Sequence, residues 1–91
     1  MVAGFGASAK GNILLNIIPK VYLPAYIIDE TPEKIGCYSP GTGLKIHSLE
    51  SEAIQGFMGI DVIMILAWNF KDEIEKKLRG LGFEGEIYCP L

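Results

Sequence analysis

Gly4-Phe5-Gly6-Ala7-Ser8-Ala9 sets small residues in the spacing G-x-G-x-x-A, between the short apolar segment Met1–Ala3 and a stretch of helical character. That spacing has a chemical use. The first amides of a helix have no partner within the helix and carry the positive end of its dipole, so a tight turn that exposes them can hold a phosphate. Gly4 permits the tight turn, Gly6 lets the backbone approach a pyrophosphate, and Ala9 allows the helix to pack closely on the strand. The same small residues also serve a turn that needs them for packing alone. Ala7, Ser8, Gly11 and Asn12 complete the candidate anion site, and Lys10 brings a positive charge within one turn of it. Asp29 follows Ala9 by 20 residues at the end of an apolar run. An acid at that distance either accepts a ribose hydroxyl or ends the strand in water.

Two later segments belong to the same end of such a fold. Pro40-Gly41-Thr42-Gly43 offers amides and a hydroxyl, and is equally a plain turn. Trp68-Asn69 follows the most apolar run of the chain, where open α/β sheets place their ligands. The Asn69 amide there either binds a sugar or phosphate or caps the next helix, and capping is the expected role. His47 has no Ser, Cys or Asp partner at a readable spacing and reads as a half-exposed strand residue. Asp72–Lys76 and Glu73–Lys77 are i, i+4 pairs on a solvated helix face. A matched acid, base or nucleophile is not evident, so binding is expected of this chain rather than catalysis.

These residues need elements to position them. Ser8 onward reads as an amphipathic helix closed by Pro19, with Ile13, Leu14, Ile17 and Ile18 as the stripe that packs on a sheet. Ala25–Ile28 reads as a buried strand, residues 31–43 as a long loop with two prolines and three glycines, and Leu44–His47 as a short strand. Ser48 or Ser51 caps a weak helix through Phe57. Val62–Ala67, apolar without alternation, is a strand covered on both faces, followed by a helix from Phe70 to about Arg79 and a last strand, Glu86–Cys89. Strands alternating with helices give an α/β class: a small three-layer domain with a mostly parallel sheet of three to five strands and helices on both faces. It is close to one half of a doubly wound dinucleotide fold.

Composition sets the limits. Ninety-one residues make one domain, residues 1–91, and 49% apolar with 21% charged residues is a globular balance. The net charge of −3 has the wrong sign for nucleic-acid binding. No apolar stretch is long enough to span a bilayer and no signal-peptide layout is present, so a cytoplasmic protein without membrane association is expected. Cys37 and Cys89 form neither a disulfide framework nor a metal-ligand spacing, and one histidine leaves no metal site in view.

Gly4-Phe5-Gly6-Ala7-Ser8-Ala9-Lys10-Gly11-Asn12, Leu14-Leu15-Asn16, Pro40-Gly41-Thr42 and Leu66-Ala67-Trp68-Asn69-Phe70 occur in an order and spacing that resemble the Rossmann-like C-terminal domain of sugar C-methyltransferases. The resemblance spans nearly the whole chain. It implies a three-part enzyme with a zinc-binding N-terminal region, a middle S-adenosylmethionine domain, and this domain helping to hold a thymidine-diphosphate keto-sugar. The cofactor and the catalytic base would then lie upstream: this chain binds no cofactor itself and has no activity alone. Gly4, Gly6, Ala9 and Lys10 map onto the family's turn and helix start, and Pro40, Gly41, Thr42, Trp68 and Asn69 onto its later motifs, lining the nucleotide-sugar crevice. Phe5 stands where the family often has tyrosine, Cys37 where a basic residue is expected, and Gly43 where a histidine is.

Only three residues precede Gly4, which is short for a central strand. Either the chain is part of a larger methyltransferase, the favoured reading, or its first strand is reduced and leaves an edge that needs a partner, as in a homodimer. Two other classes stay open: a module binding NAD or coenzyme A on its own, and a structural remnant that only self-associates.

Overall fold

The computed structural model describes residues 1–90. Strand β1 (Val2–Phe5) leads into helix α1 (Ala9–Ile17) and a single 3-10 turn at Lys20–Tyr22; β2 (Ile27–Asp29) and β3 (Ile46–Ser48) follow, then α2 (Leu49–Ile54), β4 (Val62–Ile65), a 3-10 turn at Trp68–Phe70, α3 (Lys71–Gly80) and β5 (Glu86–Tyr88). All five strands are parallel, in the order β3-β2-β1-β4-β5. The α/β class is as the sequence implies.

Alternation along the strands divides the core in two. Ala3, Phe5, Ile28, Ile63 and Ile65 face one way and pack with Leu49 of α2 and with Ile74 and Leu78 of α3. Ile27, Ile46, Met64 and Leu66 face the other way and pack with Leu15 of α1. A parallel sheet covered on both faces needs apolar residues at consecutive strand positions, which is why Val62–Leu66 shows no polar alternation.

Despite its four residues, β1 is the central strand, with Val2–Phe5 paired to Val62–Ile65 on one side and Gly4 and Phe5 to Ile27 and Ile28 on the other. The alternative of a reduced first strand with an unpaired edge is therefore excluded: the edges of the sheet are β3 and β5. None of the helices among the described residues is long and apolar enough to cross a membrane.

Of the expected stripe on α1, Leu14 and Ile18 pack against the core and Ile13 and Ile17 do not. Gly11 and Leu15 are its buried residues, whereas Ile13 and Ile17 are 63% and 73% exposed. Gly11 decides the rotation. A Cβ there would lie 2.8 Å from the Leu66 Cβ, so the helix settles with its glycine against the sheet and turns two isoleucines outward.

The β1–β2 crossover is α1, but the β2–β3 crossover, residues 30–45, contains no helix. That loop runs beside α1, and the space a second helix would fill on this face is left as a cavity.

Candidate functional site

The glycine turn is assembled at the carboxyl end of β1. Gly6 adopts φ +101°, which L side chains rarely adopt, and an added Cβ would lie 2.8 Å from the Ala67 Cβ. Gly4 is tight for packing alone, since a Cβ there would meet the Leu66 Cδ1 at 2.9 Å. Several amides of the turn are already bonded. Gly6 donates to the Ile28 carbonyl at 2.9 Å, Ala7 donates to Asp29 Oδ2 at 2.6 Å, and Gly11 donates at 3.0 Å to the Oγ of Ser8, the N-cap of α1. Asn12 donates at 2.9 Å to the Ser8 carbonyl. Among the described residues, that leaves the amides of Ser8, Ala9 and Lys10 without a chain partner.

Asp29 ends neither in open water nor on a free edge. It is buried, and its Oδ1 accepts the Thr31 amide at 2.7 Å while Oδ2 accepts Ala7. Burial raises its carboxyl, but the Ala7 and Thr31 amides, the Thr31 hydroxyl and the Lys34 charge outweigh that and hold it below the usual carboxylate value. Asp29, read from the sequence as either a ribose ligand or a strand end in water, thus braces the glycine turn.

The cavity beside α1 has a volume of about 450 Å³. Ile27, Ile46 and Leu15 form its apolar floor, Gly6–Ala9, Asn12 and Ile13 one wall, and Lys34, Cys37, Tyr38, Ser39 and Pro40 of the crossover loop the other. Lys34 spans the two walls, its Nζ donating to the Ala7 carbonyl at 2.7 Å.

The Pro40–Gly43 segment is a closed turn. Ser39 is buried; its Oγ and the Thr42 Oγ1 are 2.6 Å apart, and Leu44 donates to the same Oγ at 3.0 Å. The Thr42 hydroxyl is engaged inside the turn, and Pro40 is the member that reaches the cavity. Asn16 ties the turn to α1: its Nδ2 donates to Asn12 O at 2.8 Å and to Pro40 O at 3.1 Å. Gly41, at φ +83°, leaves room for that amide, since a Cβ there would fall 2.1 Å from Asn16 Oδ1.

Trp68 and Asn69 do not join this cavity. With Ser8, Ala9, Lys10 and Phe70 they line a hollow of about 140 Å³ across the helix start, beside the end of β4. The expected cap is corrected as well. Phe70, not Asn69, is the N-cap residue of α3, and no side chain caps that helix. The reason lies in the preceding 3-10 turn, whose Phe70 amide already donates to the Ala67 carbonyl at 3.0 Å and leaves Asn69 exposed on its outer face.

Turn, crossover loop and Trp-Asn-Phe segment thus occupy one end of a parallel sheet, and over this whole arrangement, residues 1–91, the sequence matches the family model described as C-methyltransferase C-terminal domain. The chain belongs to that family. No curated protein matches it significantly. Within this C-methyltransferase C-terminal domain, the cavity wall includes five loop residues that sequence reading passed over as site members: Glu33, Lys34, Cys37, Tyr38 and Ser39. Nothing in their spacing marks them, because all come from an irregular loop. Asn16, though exposed, positions the Pro-Gly-Thr turn.

A second polar cluster lies on the opposite face of the C-methyltransferase domain. Glu52 of α2 is only 6% exposed; its Oε1 lies 3.0 Å from His47 Nδ1, and its Oε2 accepts the Tyr26 hydroxyl at 3.1 Å. The Tyr26 and His47 rings stack with centroids 4.0 Å apart. Burial, then the Glu52 charge and its hydrogen bond, push the Tyr26 hydroxyl up to about 12. His47 therefore has a carboxylate partner that sequence spacing did not show. The partner comes from the helix after its own strand, brought there by Ser48, whose Oγ caps α2 by accepting the Ser51 amide at 2.9 Å.

Proposed function

We propose that this chain is the substrate-holding C-terminal domain of a sugar C-methyltransferase, with the nucleoside diphosphate of a sugar nucleotide seated between α1 and the crossover loop. One observation carries the reading. The cavity of about 450 Å³ has an apolar floor, and its lining also carries Ser8 and Ala9, whose amides are unpartnered, and Lys34, whose ammonium is bonded to the neighbouring Ala7 carbonyl. A ligand that joins a flat, weakly polar ring to an anionic linker fits that division, and the volume lies within the roughly 300–1,000 Å³ of small-molecule sites. Gly6 and Ala7 bring the backbone close, Ser8 and Ala9 offer amides, and Asn12, Pro40 and Tyr38 border the ring end.

Gly4, Gly11, Asp29, Gly41 and Thr42 act one step back, by packing or bracing the turns that form the walls. Trp68 and Asn69, with the Lys10 side chain, border the neighbouring hollow, on the side where the sugar would leave the diphosphate and meet the rest of the enzyme. A module for NAD needs a free acid at the end of β2, and Asp29 is bonded to two main-chain amides. The same bonding argues against adenosine of S-adenosylmethionine at this turn. The methyl donor implied for the whole enzyme belongs to another part of it, and the role of this chain is to bind and orient.

Cys37 supplies the test, because it is exposed and lines the cavity, whereas Cys89 packs at the other core. Thymidine diphosphate should slow alkylation of Cys37 by iodoacetamide and leave Cys89 unchanged. Equal rates with and without saturating nucleotide would contradict the reading.

A further inference from the structure

We infer that Lys34 is the side chain that meets the diphosphate, and that it does so by giving up the Ala7 carbonyl for a phosphate oxygen. This rests on the sugar-nucleotide reading and assigns the charge that reading requires.

The sequence points to Lys10, but the structure separates the two lysines. Lys10 is exposed and borders the small hollow beside Trp68, away from the main cavity. Lys34 is half-buried in the cavity wall, with its Nζ 2.7 Å from Ala7 O, next to the open amides of Ser8 and Ala9. An ammonium has three donors, and Lys34 uses one of them. Among the described residues it forms no ion pair: Asp29, the acid whose charge it feels, is turned to the Ala7 and Thr31 amides. A half-buried cation without a paired anion, facing unpaired amides across a cavity, is a site for an anion.

A polar atom in the opposite wall is also unmatched. Asn12 Oδ1 is buried and accepts no hydrogen bond. That oxygen is closed off from the cavity surface, so the assignment rests on Lys34 and the open amides and not on Asn12. Glu33, beside Lys34 on the loop, also lines the cavity.

The exchange has a mechanical consequence. Without ligand, the Lys34–Ala7 bond holds the crossover loop against the turn directly. With ligand, a phosphate oxygen bridges the Lys34 ammonium and the helix-start amides, so loop and turn are joined through the substrate.

Calorimetric titration of the whole chain with thymidine diphosphate and with thymidine tests this. Lys34→Met keeps the aliphatic stem and removes the charge. It should weaken diphosphate binding by about 10-fold or more, as expected for a charged hydrogen bond, and leave thymidine binding within about twofold. Lys34→Arg should retain most of the affinity, and Lys10→Ala should lose less than Lys34→Met. Wild-type affinity in Lys34→Met, or an equal loss for both ligands, overturns the assignment while leaving the cavity reading intact. If the wild-type chain binds neither ligand, the sugar-nucleotide reading fails and takes this assignment with it. Should Lys34→Met not fold, the side-chain ammonium resonance of Lys34 in the wild-type protein decides. It should shift with thymidine diphosphate and not with thymidine, and an unmoved signal overturns the inference.

Discussion

Asp29 and Ala7 are joined by a hydrogen bond of 2.6 Å between the carboxylate of one and the amide of the other, which fastens the end of β2 to the turn that follows β1. The acid that sequence spacing suggests for a ribose is thereby spent on the shape of the turn. Asp29→Asn should destabilise the fold by about 2 kcal/mol at neutral pH, since one of two charged hydrogen bonds becomes a contact between donors. The carboxyl is held below its ordinary value of 3.8 in the folded chain, so its contribution is complete above that pH and is lost as pH falls through the folded value. Urea unfolding from pH 7 to pH 2 should show the wild-type advantage over Asp29→Asn shrinking only below about pH 4.

At the alkaline end the sign reverses. The Tyr26 hydroxyl is raised to about 12 by burial and Glu52, so its protonated form stabilises the fold fully below the unfolded value of 10.0 and progressively less from there to about 12. Tyr26→Phe should cost about 1 kcal/mol at pH 7 and flatten that alkaline decline. Glu52→Ala should cost more, about 2 kcal/mol, because the Tyr26 hydroxyl loses its buried acceptor and His47 its partner. Thermal melts of the three proteins across pH 7 to 11 check both statements.

Gly6→Val should act on the fold before it acts on binding. The backbone at φ +101° and the 2.8 Å approach to Ala67 together predict a loss of about 2–4 kcal/mol, seen as a lowered urea midpoint without any nucleotide present. An unchanged midpoint would mean that the turn tolerates a side chain there.

Asn16→Ala removes the tie between α1 and the Pro40 carbonyl while leaving the core untouched. Global stability should change by less than about 1 kcal/mol, but the Gly43 amide, which donates to the Ser39 carbonyl within the turn, should exchange with deuterium several-fold faster. Nucleotide affinity should fall modestly as the wall bearing Pro40 loosens.

What was legible in the sequence is what depends on local pattern. The apolar run at Val62–Leu66, the turn residues Gly4–Ala9 and the helix start at Ser8 each announce their element, and element order then gives the parallel sheet. The outward turn of Ile13 and Ile17 was not legible, because it follows from contact between Gly11 and Leu66, 55 positions apart. Nor was the missing cap at Asn69, since a 3-10 turn instead of a direct strand-to-helix junction stands before α3. Tyr26, just before β2, His47 of β3 and Glu52 of α2 meet only once the sheet is formed. Within the site, Gly6, Ala7 and Ser8 could be named from spacing. Lys34 could not, because a loop without periodicity gives no direction to its side chains.

The central claim is that the open amides at the start of α1 hold the diphosphate of a nucleotide. Amide chemical shifts followed during a thymidine diphosphate titration address it most directly. The account predicts the largest saturable changes at Ser8, Ala9 and Lys10, with smaller ones at Asn12 and Tyr38 and little change at Ile87. Titration to saturation that leaves those three amides unmoved, with shifts elsewhere or nowhere, would contradict it.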